Sequence, residues 1–213
     1  MTDPSFAALE NCLAYQVVRE YRSWLGTPSP TCLVSFLIGV QARVALTRSE
    51  VSEWRISGPL DIPEFYMPLV ARTGHPTLTI KWATALEIHH FSLESAMFEL
   101  QTCIEKWVVS GKEMPQMTLL KEHGEPPPLM DLFRSIAKRP PMYLGCRSGW
   151  ALRCFLTGMD KGGDWLSLPR LDGLLEAIDC IEEQSLQCYG SRFAAYRIYE
   201  DMPDKILEWV IKD

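Results

Sequence analysis

The sequence predicts an all-α protein built from two helical halves that pack together. Apolar residues recur at intervals of three and four, the spacing that places them on one face of a helix. These runs begin at capping residues and are separated by clusters of Gly and Pro. With 213 residues, 47% of them hydrophobic and 23% charged, the chain has the size and composition of a globular protein with a sizeable core.

The first half, residues 1–109, begins with two predicted helices. Asp3 and Ser29 each precede a proline, which suits the first turn of a helix because that turn has no partner for its N–H groups. The first helix should continue to Trp24 and stop at Gly26, and the second should continue through Val44. The pair is expected to form a helical hairpin.

Two more helices are predicted in this half. Residues 77–90 fit a helix better than a strand, and the expected apolar face contains Ile80, Ala83, Thr84, Glu87 and Ile88. Ser92 should cap the next helix, whose apolar face is formed by Leu93, Met97, Leu100, Ile104, Trp107 and Val108. Residues 48–63 are interpreted as loop and 65–70 as a short helix, with a small β element within 48–80 as the alternative.

A linker at residues 110–128 is predicted between the halves, because Gly and Pro replace the helical pattern there. The second half, residues 129–213, opens with a helix that contains Leu129, Leu132, Phe133 and Ile136. Pro140 and Pro141 should end this helix and force the chain to turn.

The chain is expected to re-enter a helix directly after that turn. Gly145 can supply a positive φ, and Ser148 can cap a helix through Trp150, Leu152, Phe155 and Leu156. The KGGDW segment at 161–165 is interpreted as a glycine-rich turn, followed by helices that start near Ser167 and Asp201.

A short motif occurs once in each half. The pattern LxxFLxG spans residues 33–39 and returns 119 positions later at 152–158. Two related helical modules would explain the match. Coincidence between two amphipathic helices is the other explanation, since both use Leu and Phe at such spacings.

The net charge and the cysteines indicate which partners and which cellular compartment to expect for the protein. A net charge of −6 and a pI near 5.3 argue against nucleic acid and anionic membranes as partners and favour a basic protein. Seven cysteines without a CxxC pair are typical of small core residues in a reducing compartment. With no secretory signal and no long apolar run in the sequence, the expected location is the cytoplasm.

The sequence contains no recognised catalytic signature, so an enzyme is not the leading interpretation. Glu87, His89 and His90 lack the i, i+4 histidine pair of a zinc-protease helix, and KGGDW lacks the order of a phosphate-binding loop. Neither a metal nor a cofactor is therefore predicted. Two alternatives stay open: a small-molecule enzyme that uses these three residues in a cleft between the halves, and a regulatory scaffold protein.

Four acidic residues share one stripe of the long C-terminal helix. They advance by four, three and four positions: Asp172, Glu176, Asp179 and Glu183. At about 100° per residue the stripe is centred away from the Leu171 and Leu175 face, so it should be exposed. We interpret it as a partner-binding surface for a basic protein, with an ordinary solvated helix face as the alternative.

The segment IAKRPPMYLG at residues 136–145, with the LxxFLxG helix that follows, resembles the IxxRPGMYLG segment of small bacterial proteins found in toxin–immunity settings. Pro141 stands where that segment has glycine. The resemblance covers about a quarter of the chain. It implies an immunity protein that binds a cognate toxin and neutralises it by blocking its active site or partner surface.

Overall fold

The computed structural model describes residues 12–46, 82–110 and 149–165, together with Leu9, Ile136 and Leu144. Over these residues the backbone forms helices and no strand, which confirms the all-α class. The helices are α1 Leu13–Arg19, α2 Tyr21–Trp24, α3 Pro30–Leu46, α4 Trp82–His89, α5 Leu93–Val109 and α6 Gly149–Trp165. Within these ranges, no helix combines the length and the apolar character needed to cross a membrane.

The chain divides into two compact units. One contains Met1–Val34 and Ser52–Thr118, and the other contains Ser35–Val51 and Leu119–Asp213. The division falls inside α3, so the first turn of this helix belongs to one unit and its remainder to the other. Apart from Ser110, the predicted linker at 110–128 lies outside the described residues.

In the first unit, α5 packs against both α1 and α4. The core there is formed by fully or almost fully buried side chains that include Leu13, Val17, Met97, Leu100 and Ile104. Four residues of the predicted α5 stripe are buried, namely Met97, Leu100, Ile104 and Val108, whereas Leu93 is 39% exposed and Trp107 is only half-buried. Ser92 caps this helix as expected, since its Oγ accepts a hydrogen bond from the Ser95 N–H at 3.2 Å.

A single helix up to Trp24 was the wrong prediction, because the chain breaks at Glu20, where φ is −116° and ψ is 35°. The Glu20 carbonyl accepts hydrogen bonds from both the Oγ and the N–H of Ser23, each at 2.9 Å. A serine hydroxyl that binds a nearby carbonyl competes with the regular helical pattern. The predicted end at Gly26 is confirmed, since its φ of 73° suits a glycine.

The predicted start of α3 is also confirmed. Ser29 Oγ accepts a hydrogen bond from the Cys32 N–H at 3.1 Å, and Pro30 occupies the first helical position. Later in α3, within the second unit, the Ser35 hydroxyl donates to the Leu144 carbonyl oxygen at 2.7 Å. This bond joins the buried face of α3 to the backbone of Leu144, which is itself helical.

The helix α4 is confirmed over its described part, and its predicted inner face is right for Ala83 and wrong for Ile88, while Ile80 lies outside the described residues. The buried residues are Trp82, Ala83, Ala85 and Leu86, and Ile88 is 59% exposed. Trp82 and Leu86 lie one turn apart and are both buried, and burial of these two large apolar side chains favours an inner face that leaves Ile88 exposed.

The KGGDW segment is helical and forms the C-terminal end of α6 instead of a turn. Glycine in a helix interior costs about 1 kcal/mol relative to alanine. The preceding turns of α6 are anchored by Leu152, Phe155, Leu156 and Met159, all essentially buried. We attribute the continuation of the helix through both glycines to this anchoring.

Candidate partner-binding surface

The hairpin of α4 and α5 is held in place by a partly buried acidic contact. The Glu87 carboxylate accepts hydrogen bonds from the Ser29 hydroxyl at 2.5 Å and from the Thr31 backbone N–H at 2.9 Å. Both donors lie at the N-terminus of α3, where unpaired N–H groups and the helix dipole favour a negative charge. The end of α4 is therefore fixed to the start of α3.

The turn between α4 and α5 is joined to α5 by a second polar contact. His90 Nε2 lies 2.9 Å from Glu99 Oε2, with the geometry of an ion pair and not of an aligned hydrogen bond. The adjacent rings of His89 and His90 meet edge to face, with centroids 5.4 Å apart. The turn is thus supported from the side of α5.

An apolar surface is exposed at this turn. Phe91 is fully exposed, and Phe98 is 71% exposed one and a half turns into α5. Together with Ile88 they form what we call the apolar corner. Four of the five large hydrophobic residues exposed in the described chain fall between positions 88 and 98: Ile88, Phe91, Leu93 and Phe98. Contiguous exposed apolar surface marks interaction sites, so the concentration of exposed apolar residues within these eleven positions makes this turn the candidate surface.

Among the described residues, the helix position that would normally cover Phe91 holds a side chain too small to do so. A hydrophobic residue just before an N-cap normally packs against the fourth residue of the helix. Here the N-cap is Ser92 and that fourth residue is Ala96, which is fully buried and short. The ring of Phe91 has no staple partner and remains available to another molecule.

The charges near the apolar corner are mainly acidic. Glu94 is exposed in the first turn of α5, and Glu99 lies on the next turn. The chain as a whole carries a formal charge of −6. An apolar surface with an acidic border is complementary to a partner with apolar side chains surrounded by Lys and Arg.

The structure places the three residues named for the enzyme alternative in different contacts, although the rings of His89 and His90 touch each other. Glu87 is bound to the start of α3, His90 is beside Glu99, and His89 is exposed. In the part of the chain that the structure describes, no cluster of three or more His, Cys, Asp or Glu side chains could hold a metal ion. The acidic stripe of Asp172, Glu176, Asp179 and Glu183 lies outside the described residues and stays a prediction.

Sequence reasoning missed the apolar corner. Phe98 follows Met97 directly, so it lies about 100° from the buried stripe of α5, and this offset was a readable signal for exposure. Phe91 gave no such signal, because the residue before an N-cap is ordinarily covered.

Comparison with known proteins adds no relative: no protein-family model, no curated protein and no solved structure matches the chain.

Proposed function

We propose that this chain is an immunity protein that binds a cognate bacterial toxin and neutralises it by blocking its active site or partner surface. The observation that carries the proposal is the apolar corner, because Phe91 and Phe98 are exposed on a helical hairpin that is itself well anchored. A toxin is proposed as the partner because residues 136–145 resemble the IxxRPGMYLG segment of proteins found in toxin–immunity settings.

A rigid aromatic side chain on a fixed hairpin is suited to high affinity. Aromatic residues dominate binding energy when the partner desolvates them fully, and little conformational freedom is lost when they are already ordered. A one-to-one complex of ordinary size would bury about 800 Å² on each partner. The apolar corner would form its centre, and acidic side chains such as Glu94 would form its rim.

The first experiment is genetic. The product of the neighbouring open reading frame is expressed alone and together with this chain, and growth and complex formation are measured. We expect toxicity from the neighbour alone, and both rescue and a stable complex on co-expression. A harmless neighbour, or toxicity without rescue or binding, would remove the proposal.

The second experiment assigns the complex to the apolar corner. Replacing Phe91 and Phe98 by Ala should weaken binding at least about tenfold, because each removes a large apolar contact. Val109→Ala is the matched control, since Val109 is 67% exposed at the far end of the same helix. Unchanged affinity of the double variant, with a helical circular dichroism spectrum like that of the wild type, would exclude this surface.

A further inference from the structure

The two helices that carry the LxxFLxG motif have the same length and the same boundaries relative to the motif. Helix α3 runs from Pro30 to Leu46 and α6 from Gly149 to Trp165, and each has 17 residues. Both ends are displaced by 119 positions, the offset that also separates the two motifs. Two unrelated amphipathic helices have no reason to begin and end in register.

The match also extends well before the motif. With the offset of 119, residues 13–39 and 132–158 share eight identical positions, which in the first segment are Leu13, Leu25, Gly26, Ser29, Leu33, Phe36, Leu37 and Gly39. Gly26 and Ser29 are not core apolar positions. They end one helix and cap the next, so the shared pattern includes the turn and not only an amphipathic face.

Burial follows the same correspondence. Leu25 and its equivalent Leu144 are both fully buried, and so are Val17 and its equivalent Ile136. Every position of the motif that is apolar in both copies is also buried in both, as are the pairs Ser35 with Cys154 and Val40 with Met159. The described residues of the two segments therefore present the same inner face.

The decisive observation is a reciprocal contact within the second unit. A Cβ atom at Gly39 would lie 2.8 Å from the carbonyl carbon of Phe155, and a Cβ atom at Gly158 would lie 2.8 Å from the carbonyl carbon of Phe36. Phe155 is the equivalent of Phe36, and Gly158 is the equivalent of Gly39. Exchanging each residue for its equivalent therefore converts one contact into the other.

Reciprocity of this kind is the property of an isologous interface, in which the same patch on two copies faces itself. Each glycine allows the backbone of the other helix to approach, because even a methyl group would overlap the Phe carbonyl. We infer that residues 13–46 and 132–165 are two copies of one module, and that the surface around Gly39 and Gly158 is its self-association surface, occupied within a single chain by the other copy.

The test uses the full-length chain with Gly39→Ala, Gly158→Ala and the double substitution, followed by thermal unfolding. Each single variant should lower Tm by about 4 °C or more, and the two losses should agree within about 2 °C. The double variant should lose less than the sum, because a helix pair already forced apart by one methyl group accommodates the second more easily. Gln41→Ala, on the same helix and half-buried, is the control and should change Tm by less than about 2 °C.

A rise in Tm for either single variant would overturn the inference, since Gly→Ala stabilises a helix at a position that is not crowded. The inference would also be overturned if the two single variants lowered Tm by clearly different amounts, or if the double variant lowered it by the sum of the two. If the double variant does not fold, hydrogen exchange on the single variants answers the question. Either substitution must reduce protection in both α3 and α6, and loss confined to the substituted helix would refute the shared surface.

Discussion

Cys12 is a buried thiol whose chemistry is set by its surroundings. It is 1% exposed at the start of α1, and burial raises its pKa from the ordinary value of 9.0 to about 11, in spite of hydrogen bonds from the backbone of Tyr15 and Ala14. The thiolate is the reactive form of cysteine, so Cys12 should be inert in the native protein. Cys103 is only half-buried and provides a natural comparison.

The raised pKa of Cys12 predicts a loss of stability at alkaline pH. In the unfolded chain the thiol loses its proton near pH 9, whereas in the folded protein it keeps it until about pH 11. Between these two pH values the folded state binds more protons than the unfolded state, so the free energy of unfolding falls as the pH rises. The expected decrease is about 2 kcal/mol. Urea unfolding at about pH 8 and about pH 11 should show this fall.

Variants isolate the contribution of Cys12 to that fall. Cys12→Ala should show a shallower decrease between the two pH values, and Cys103→Ala should show the full decrease of the wild type. Parallel curves for wild type and Cys12→Ala would contradict the prediction.

For single residues, the sequence predicted helix caps formed by neighbouring residues and missed a cap formed by a residue far away in sequence. Ser29 and Ser92 were predicted because each bonds an N–H three residues away. Glu87 was assigned to an apolar face, and yet it binds Ser29 and Thr31, which are 58 and 56 residues away in sequence. A carboxylate that caps another helix leaves no trace in the periodicity of its own helix.

Between elements, a buried cation lies at the contact of α3 with α6. Arg43 is 5% exposed, and burial lowers the pKa of its guanidinium, an effect that the nearby carboxylate of Asp160 partly offsets. The equivalent of Arg43 in the second copy of the module is Gly162. The two copies have therefore diverged just beyond the glycine contact, and one buried charge depends on the other helix.

Removing the carboxylate should destabilise this contact. Asp160→Asn keeps the shape of the side chain and leaves Arg43 less compensated, so the free energy of unfolding should fall by about 2 kcal/mol. The control is Asp164→Asn, an exposed position one turn further along α6, where a change below about 0.5 kcal/mol is expected. If Asp160→Asn and Asp164→Asn lower the free energy of unfolding equally in chemical denaturation, the Asp160 charge is not coupled to α3.

Helix boundaries were predictable where local chemistry decided them. Pro30 and Ser92 mark real starts, and Gly26 marks a real end. The break at Glu20 coincides with a hydrogen bond from the Ser23 hydroxyl to the Glu20 carbonyl, and the helical KGGDW follows buried turns of the same helix. Propensity alone predicts neither, because packing outweighs about 1 kcal/mol per glycine.

For the whole molecule, the all-α class followed from periodicity, and the internal motif was visible in the sequence before the reciprocal glycine contact was known. The apolar corner was not visible, because the exposure of Phe91 depends on how the described side chains pack near it in three dimensions. Apolar contact at that corner and acidic charge elsewhere have different consequences for binding. Buried aromatic contacts mainly slow dissociation, while long-range charge mainly speeds association.

The acidic stripe can be tested through that difference. With a toxin partner in hand, changing Asp172, Glu176, Asp179 and Glu183 together to Lys should lower the association rate constant at least about tenfold in low salt. The wild-type rate should fall between about 0.02 M and about 0.5 M NaCl, because salt screens the attraction, and the variant should lose most of this dependence. Stopped-flow mixing measures both rate constants.

The double variant with Phe91→Ala and Phe98→Ala is the counterpart, because it should change the dissociation rate and leave the salt dependence of association intact. If the charge-reversed chain folds and associates at the wild-type rate, the stripe is an ordinary solvated helix face, and any electrostatic steering comes from other acidic residues of the chain.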